Sequence, residues 1–222
     1  MARAARPTQD PALETAPETA PETAPKTPPK PAFDVVAMAA SAGGLTSLSS
    51  VVAALPPDFP AAVLIVQHLD PRHRSLMAEI LGRRTECPVS EAVNGSQIVP
   101  HTIYVAPSDR HLLVNPDHTI ALTESELVHF VRPSADLLFE SVAATYRDRA
   151  IAVVLSGTGQ DGAMGVRAVK NMGGTVIAED KTTAAFYGMP GAAIQTGSVD
   201  FVLPVGEIGP ALVTLVMTRE AI

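Results

Sequence analysis

The stretch FDVVAMAASAGGL, residues 33–45, decides the fold of this chain. An apolar run with β-branched residues stops abruptly at Ser41-Ala42-Gly43-Gly44, and a helix-like segment, Leu45–Leu55, follows. This pattern predicts a buried strand, a tight turn of small residues and a helix, with a hydroxyl at the end of the strand. Unpaired N–H groups at such a helix start favour negative charge beside that hydroxyl. Ser41 therefore has three open interpretations: a nucleophile, part of a phosphate-binding turn, or a small residue in a tight corner.

The composition narrows the class of protein. The 222 residues suffice for one sizeable α/β domain and a tail. Hydrophobic residues make up 46% but aromatic residues only 4%, so Ala, Val, Leu and Ile must fill the core, which suits a parallel sheet covered by helices. A net charge of −7 argues against nucleic acid as the main partner, because phosphate binding needs basic clusters. The single cysteine, Cys87, excludes an intramolecular disulfide and a metal site built on thiolates.

The N-terminal region differs in composition from the rest. Residues 1–31 are rich in Pro, Ala, Thr and Glu and repeat Glu-Thr-Ala-Pro from Glu14 to Pro25, which predicts a disordered tail. The ordered domain is expected over residues 32–218. No apolar run approaches the ~20 residues that span a bilayer, and the N-terminus lacks the apolar region of a secretory signal. We therefore expect no membrane insertion and a cytoplasmic protein.

Strand and helix signals alternate through the predicted domain. The continuous apolar runs Ala61–Gln67 and Ala150–Leu155 predict strands that are buried on both faces. The section from residue 88 to 122 is predicted as a small antiparallel insertion or edge layer, not a βαβ unit, with a hairpin of His111–Val114 and Thr119–Leu122. The pattern as a whole predicts an α/β fold: a doubly wound, mostly parallel sheet with helices on both faces and a small antiparallel hairpin insertion.

Three of the predicted buried strands are followed by residues that can carry chemistry: Ser41, His68 and Asp161. Because ligands of open α/β sheets bind outside the carboxyl ends of the strands, these side chains would project from one edge. A serine, an imidazole and a carboxylate are the nucleophile, base and orienting group of serine hydrolysis. In that interpretation the N–H groups of Ala42 and Gly43 would face the tetrahedral oxyanion.

Plainer interpretations remain open for each of these residues. Asp161 is most simply the N-cap of the helix that follows, Ser41 is an equally acceptable N-cap, and His68 is a polar residue at a strand end. The serine turn is not a G-x-S-x-G elbow, the chain has no P-loop, and an acidic residue inside the loop Gly157–Gly162 argues against a dinucleotide. The histidines lack metal-ligand pairing, so we expect neither a metal nor a cofactor.

Six motifs then follow one another in order along the chain. They are ASAGG at 40–44, VQH at 66–68, YVAP with DRHL within 104–112, RPSADLLF at 132–139, LSGTGQDG at 155–162 and GMP at 188–190. Together they resemble the catalytic domain of chemotaxis receptor protein-glutamate methylesterases of the CheB type. The resemblance implies that Ser41 is the nucleophile, His68 the base and Asp161 the orienting carboxylate, and that residues 32–218 form a methylesterase-type catalytic domain.

The resemblance also implies a reaction and a protein substrate. Members of the family hydrolyse γ-glutamyl methyl esters on the helical cytoplasmic region of methylated chemoreceptors, and some also deamidate receptor glutamines. Most carry an N-terminal receiver domain, whereas here the proline-rich tail precedes the catalytic domain. We therefore expect activity that is constitutive or controlled by a separate receiver-domain partner. A non-catalytic binding domain on the same fold is the competing hypothesis.

Three positions bear on how closely the chain follows the family. Ala39 stands where the family usually has glycine. Thr158 stands where the loop before the carboxylate often has methionine, which bears on the oxyanion contribution of that loop. Arg132 has two interpretations, a cleft residue that binds acidic receptor side chains or a residue at the start of a helix with its charge in solvent.

Overall fold

The structure is a computed structural model and describes residues 1–2, 33–68 and 75–217. The predicted tail lies outside these residues except for Met1 and Ala2, so its disorder stays a prediction, as does the boundary at residue 32. Within the described residues, no helix combines the length and the apolar character that crossing a bilayer requires.

The strands and helices occur in the alternation that the sequence predicts. The strands are β1 (Val35–Ala40), β2 (Ala62–Gln67), β3 (Val89–Glu91), β4 (Ile103–Val105), β5 (His111–Val114), β6 (Ile120–Thr123), β7 (Ala150–Val154), β8 (Thr175–Glu179) and β9 (Phe201–Leu203). The helices are α1 (Gly44–Ala53), α2 (Met77–Gly82), α3 (Ala135–Tyr146), α4 (Ala163–Asn171), α5 (Gly188–Gln195) and α6 (Val205–Met217).

One parallel sheet organises these elements. Its strand order is β3-β4-β2-β1-β7-β8-β9, and every neighbouring pair is parallel. β5 and β6 form a separate antiparallel pair, which confirms the predicted hairpin. The chain proceeds from β1 to one side of the sheet through β2 and later returns to the other side through β7. The reversal of strand order therefore falls at β1, which is the topology of a doubly wound fold and confirms the predicted fold class.

β1 is the centre of the hydrophobic core. All six of its residues are 0% exposed, because β2 and β7 pair with its two edges and helices cover both faces. Successive side chains of a strand point to opposite faces. Val35, Ala37 and Ala39 accordingly join the core beneath α3, α4 and α5, while the alternate residues join the core beneath α1, α2 and α6. A central strand with two covered faces needs an uninterrupted apolar run, which is what residues 35–40 supply.

The expectation of antiparallel pairing over residues 88–106 is wrong, whereas the expected edge position and the lack of a βαβ unit are confirmed. β3 does lie at the edge of the sheet, but β3 and β4 pair with each other in parallel, and β4 pairs in parallel with β2. Residues 92–102 connect β3 to β4 without a helix, although parallel connections usually contain one. The lack of helical periodicity in this segment therefore does not mark an antiparallel insertion. The burial pattern fits the outcome, since Ile103 and Val105 are buried whereas Ser90 and Glu91 of the edge strand are exposed.

Candidate active site

Ser41 and His68 each come directly after a central strand. The last residues of β1 and β2, Ala40 and Gln67, are partners in the parallel ladder. The ladder continues one step further, because the His68 N–H donates to the Ala40 carbonyl over 3.0 Å. On the other side, the Ser41 N–H donates to the Ser156 carbonyl over 2.9 Å, just after β7. The serine and the histidine therefore leave the sheet side by side, where the strand order reverses.

The structure joins His68 to Asp161 directly. His68 Nε2 lies 2.8 Å from Asp161 Oδ2, and the two side chains are only 9% and 3% exposed. An ionised carboxylate only accepts hydrogen bonds, so Nε2 carries the hydrogen of this contact, and in that tautomer of the imidazole Nδ1 is the acceptor. Within the described residues the Ser41 hydroxyl makes no hydrogen bond. Catalytic hydrogen bonds of this kind are often long in a free enzyme and tighten in the substrate complex.

The Asp161 carboxylate accepts further hydrogen bonds from the first turn of α3. Oδ1 accepts from the Ser134 hydroxyl over 2.9 Å and from the Asp136 N–H over 3.1 Å, and Oδ2 also accepts from the Ala135 N–H over 2.6 Å. Burial alone would raise the pKa of Asp161, but the hydrogen bonds, led by that of His68, bring this pKa below its usual value. The carboxylate is thus held ionised and in one orientation against the imidazole.

The N-cap interpretations of Asp161 and Ser41 are both wrong. α4 begins after Gly162, which makes no side-chain cap hydrogen bond, and the Asp161 carboxylate binds the N-terminus of α3 instead. α1 likewise begins after Gly43, again without a side-chain cap, so the Ser41 hydroxyl does not serve that helix. Both polar side chains are therefore available to the edge of the sheet rather than to the helix that follows them in sequence.

The turn between β1 and α1 is narrow and carries free donors. Gly43 has a φ of 74°, and a Cβ at this position would lie 2.8 Å from Ser156 Oγ, so only glycine fits without a displacement. Among the residues that the structure describes, the N–H groups of Ala42 and Gly43 have no hydrogen-bond partner. They are free to bind an anion beside Ser41, and their role as oxyanion donors stays a prediction.

The loop after β7 approaches the serine turn closely. A Cβ on Gly157 would lie 2.9 Å from Ser41 Cβ and 2.3 Å from Met189 Sδ. The neighbouring Thr158 is exposed at the surface of this loop. The predicted contribution of Thr158 to the oxyanion site also stays a prediction, which the closeness of Gly157 to Ser41 supports.

The sequence-based interpretation missed Ser134 and His111, which support the Asp161 carboxylate. Ser134 is the N-cap of α3 and is completely buried. Its N–H donates to Nδ1 of the equally buried His111 over 3.1 Å, and Nε2 of that ring donates to the Glu126 carbonyl over 3.0 Å. Burial lowers the pKa of His111, so this ring is neutral. The Ser that precedes the apolar pattern of α3 was the sequence signal for a cap, but its contact with Asp161 has no sequence signal.

The interpretation of Arg132 as a residue with its charge in solvent is wrong, whereas its binding of acidic receptor side chains stays a prediction. Its Nε donates to Asp109 Oδ1 over 2.8 Å, and its NH1 group donates to the carbonyls of Glu124 and Ser125 over 2.9 and 2.8 Å. The side chain is 18% exposed. Because the planar guanidinium binds these acceptors, Arg132 holds the segment after β6 to the loop before β5.

One group of side chains has the proximity that a metal site needs. Single ligand atoms of His129, Asp136 and Asp161 lie within 4.8 Å of one another. However, Asp136 already accepts from the Gly165 N–H over 2.7 Å and from His129 over 3.1 Å, while Asp161 is bound to His68 and to α3. Burial raises the pKa of Asp136, helped by the charge of Asp161. These side chains are thus engaged in a hydrogen-bond network within the fold.

A groove lies beside the loop that precedes Asp161. Its volume is about 700 Å³, and it runs between α4 and α5. Gly159 and Gln160 of the loop line one end, and Arg167 and Gln195 line the helices. Within the described residues Arg167 has no ion-pair partner. The groove does not contain Ser41, but it extends from the same loop and is large enough for polypeptide side chains.

A parallel α/β sheet with a serine, a histidine and an aspartate at the carboxyl ends of neighbouring strands is an arrangement that defines serine hydrolases. Comparison with known proteins narrows this class. The chain belongs to the CheB methylesterase family, whose family model matches residues 36–212. This match confirms the resemblance that the sequence motifs indicate.

Several relatives are similar over the same region. Protein-glutamate methylesterase/protein-glutamine glutaminase 2 of Burkholderia lata is 41% identical over 180 residues, which are 81% of this chain and 53% of that protein. The protein-glutamate methylesterase/protein-glutamine glutaminase of Thermotoga maritima is 38% identical over 185 residues, which are 82% of this chain and 54% of that protein. The chain thus spans about half the length of the curated relatives it matches. The crystal structure of the Thermotoga maritima CheB methylesterase catalytic domain superposes with a TM-score of 0.80 at 38% identity, covering 83% of this chain and 99% of that one.

Proposed function

We propose that this chain is a protein-glutamate methylesterase that hydrolyses γ-glutamyl methyl esters on methylated chemoreceptors. In this proposal Ser41 is the nucleophile, His68 the general base and Asp161 the carboxylate that orients it, within a catalytic domain of residues 32–218. The hydrogen bond of 2.8 Å between His68 and Asp161, beside Ser41, carries the proposal. Membership of the CheB methylesterase family and the names of the relatives support the choice of substrate.

The first step is acylation. His68 Nδ1 takes the proton of the Ser41 hydroxyl while the oxygen attacks the ester carbonyl, and Asp161 stabilises the resulting imidazolium through Nε2. The N–H groups of Ala42 and Gly43 bind the tetrahedral oxyanion; the loss of one such donor typically lowers kcat about 10²- to 10³-fold. The intermediate then collapses to the acyl-enzyme, and methanol leaves with the proton from His68.

The second step is hydrolysis of the acyl-enzyme. His68 removes a proton from water, the water oxygen attacks the acyl carbonyl, and Ser41 leaves with that proton from the imidazolium. The products are a glutamate side chain and the free enzyme. An amide substrate follows the same steps with ammonia as the leaving group, and the relatives are named glutaminases as well. Deamidation of receptor glutamine is therefore the second candidate activity.

The substrate is a protein, which the surroundings of the site can accommodate. The groove between α4 and α5 starts at the loop before Asp161, so side chains next to the esterified glutamate can lie there. Exposed Arg167 offers a positive charge to the acidic side chains around a methylation site. Because the methylated helices of chemoreceptors are cytoplasmic, this substrate agrees with the cytoplasmic location that the sequence predicts.

The test is release of methanol from a chemoreceptor cytoplasmic fragment that carries radiolabelled methyl esters. We expect release by the wild type and a loss of at least about 10³-fold for Ser41→Ala, since residual rates without a triad member come only from binding and the oxyanion donors. Ser50→Ala is the matched control, because Ser50 is exposed on α1 and should leave the rate unchanged.

The outcomes separate the hypotheses. Equal rates for the wild type and Ser41→Ala would contradict the serine mechanism. No release by either protein would favour the competing hypothesis of a binding domain. Adding a phosphorylated receiver domain to the same assay tests regulation by a separate partner, because stimulation by that protein would contradict constitutive activity.

A further inference from the structure

Two buried side chains hold the carbonyl groups of the serine turn. Gln67 Nε2 donates to the Ser41 carbonyl over 2.7 Å, and Ser156 Oγ donates to the Ala42 carbonyl over 2.8 Å. Gln67 is 7% exposed and Ser156 is 0% exposed. Neither residue is used by the mechanism above, although both lie under the turn that the mechanism depends on.

Each carbonyl shares a peptide plane with a proposed oxyanion donor. The Ser41 carbonyl and the Ala42 N–H belong to one planar trans peptide, and the Ala42 carbonyl and the Gly43 N–H belong to the next. In a trans peptide the C=O and N–H bonds point in opposite directions. A side chain that holds the carbonyl from inside the protein therefore aims the N–H outward, and the hydrogen bond also polarises the peptide and strengthens its donor.

We propose that Gln67 and Ser156 are positioning residues that orient the Ala42 and Gly43 N–H groups toward the oxyanion. The inference rests on the proposed function, because it needs an oxyanion beside Ser41. It goes beyond that proposal because it assigns one side chain to each N–H donor: Gln67 holds the peptide of the Ala42 N–H, and Ser156 holds the peptide of the Gly43 N–H.

Both side chains are themselves held in place. Ser156 Oγ accepts from the Phe186 N–H over 3.0 Å, which directs its own hydrogen to the Ala42 carbonyl. The Ser156 N–H donates to the carboxylate of buried Glu179 over 2.8 Å. Gln67 Nε2 also donates to the His68 carbonyl over 3.1 Å, so one amide group spans the serine turn and the backbone of the base.

The contacts of Gln67 show which end of its side chain is used. Within the described residues its Oε1 is buried without a hydrogen-bond partner, whereas Nε2 has two acceptors. The two carbonyl acceptors fix this orientation of the amide, because the flipped amide would place its oxygen against both of them. The donor end therefore matters more than the acceptor end, as expected of a group whose task is to hold carbonyls.

The experiment compares Ser156→Ala and Gln67→Met with two matched controls. Ser141 Oγ also donates to a carbonyl, that of Leu138 over 2.9 Å, and accepts from a backbone N–H over 3.1 Å, so Ser141→Ala removes an equivalent hydroxyl. Gln97 Nε2 likewise donates to two successive carbonyls over 3.2 Å, so Gln97→Met removes an amide with the same hydrogen bonds from an exposed position. Neither control residue touches the serine turn.

Two substrates and one inhibitor are measured with each variant. Hydrolysis of the methyl ester on the receptor fragment measures the proposed activity. Hydrolysis of p-nitrophenyl acetate measures the reactivity of Ser41 and its oxyanion donors in the absence of a receptor. An alkylboronic acid forms a tetrahedral adduct that resembles the transition state. We expect kcat to fall about 10- to 100-fold in Ser156→Ala and in Gln67→Met, less than for outright loss of a donor, with KM within about twofold. Inhibition by the boronic acid should weaken by a similar factor.

The outcomes distinguish the inference from the proposed function. Unchanged kcat on p-nitrophenyl acetate, or a change confined to KM or to Tm, would overturn the positioning role. Hydrolysis of p-nitrophenyl acetate without hydrolysis of the receptor ester would contradict the proposed substrate and still decide the inference. If Ser156→Ala does not fold, Ser156→Cys keeps a weak donor in nearly the same volume, and its kcat should lie between those of the wild type and Gln67→Met.

Discussion

Two helices start beside the candidate site, and their first turns are built differently. α3 is capped by Ser134, and its next two N–H groups donate to the Asp161 carboxylate. α1 starts after Gly43 without any side-chain cap, and the N–H groups of the turn before it have no partner among the described residues. The N-terminus of α3 thus binds a side-chain anion within the fold, whereas the Ala42 and Gly43 N–H groups before α1 have no partner among the described residues.

The difference shows how one backbone feature serves two purposes. A helix N-terminus carries partial positive charge. At α3 that charge stabilises a permanent anion, Asp161, and so fixes the orientation of His68 before any substrate is present. At α1, in our proposal, the same kind of charge stabilises an oxyanion that forms only during the reaction. Substitutions at each terminus separate these two roles.

Replacing the carboxylate of Asp161 should have the largest effect on kcat. Asp161→Asn places an amide NH₂ against the donors of α3 and His68, so the imidazole loses its orientation, and we expect kcat to fall about 10³- to 10⁴-fold. Asp200→Asn is the control, because Asp200 also accepts from a basic side chain, Lys170, and from a backbone N–H, that of Val176. Methanol release measures both variants, and a loss below about tenfold for Asp161→Asn would contradict the role of this carboxylate.

The substitution Gly43→Ala, in the turn before α1, should have the next largest effect on kcat. A Cβ on Gly43 meets Ser156 Oγ at 2.8 Å and Ala185 Cβ at 2.9 Å, so Gly43→Ala must shift the turn. We expect kcat to fall about 10- to 100-fold and the free energy of unfolding to fall by about 1–2 kcal/mol.

Gly197→Ala separates the two effects of that change. Gly197 has a similar φ of 71° but open space around its Cβ position. This variant should lose stability without losing activity, as measured by urea unfolding and ester hydrolysis. Full activity in Gly43→Ala would show that the turn tolerates displacement and would weaken the assignment of its donors.

Removing the cap of α3 should have a smaller effect on catalysis. Ser134→Ala deletes one donor to Asp161 and the N-cap, and we expect the free energy of unfolding to fall by about 1–2 kcal/mol. Since the carboxylate keeps its bonds from His68 and two backbone N–H groups, kcat should fall less than about tenfold. Urea denaturation measures the free energy of unfolding of Ser134→Ala, and steady-state kinetics measure its kcat. A loss of kcat comparable to that of Asp161→Asn would mean that the Ser134 hydroxyl, and not the N–H groups of α3, holds the carboxylate.

The smallest expected effect is the pH dependence of stability that comes from His111. This ring accepts the N–H of Ser134 at the N-terminus of α3. Burial lowers the pKa of His111, assisted by the charge of Arg132, while the bond to the Glu126 carbonyl and the charges of Asp161 and Asp109 act in the opposite direction. The unfolded chain therefore binds a proton more readily, so this contribution to stability is complete above about pH 6.5 and falls as the pH falls below it.

Unfolding by urea between about pH 7.5 and about pH 5.5 measures this dependence. His111→Gln offers an acceptor and a donor without titrating, so its free energy of unfolding should decline less with falling pH than that of the wild type. Parallel curves for the two proteins would assign the dependence to other groups.

The elements of the fold could be predicted because its central strands are apolar on both faces. Val35–Ala40 and Ala62–Gln67 carry that signal in their own residues. The direction of β3 and β4 could not be predicted, because residues 92–102 return the chain without the helix that usually marks a parallel connection. The local sequence predicts where a strand lies, whereas the packing of the whole domain determines which strand it pairs with and in which direction.

The candidate site could be predicted only in part for a similar reason. Polar residues at strand ends indicated His68 and Asp161, and the structure joins them. The same signal was present in Gln67 and Glu179, yet no pattern shows that an amide reaches a particular carbonyl. Likewise, Asp161 precedes α4 in sequence but binds α3, which only the three-dimensional arrangement of the helices determines.

The pairing of β1 with β2 and β7 also has a consequence for how the candidate site forms during folding. His68 and Asp161 are 93 positions apart, and Ser41 meets the loop after β7 only when the outer half of the sheet has docked on β1. Contacts between such distant segments form late and slowly, because long loops must close first. A partly folded full-length chain therefore contains every reactive group without the assembled candidate site. If our proposal holds, ester hydrolysis during refolding will report this final docking event rather than collapse.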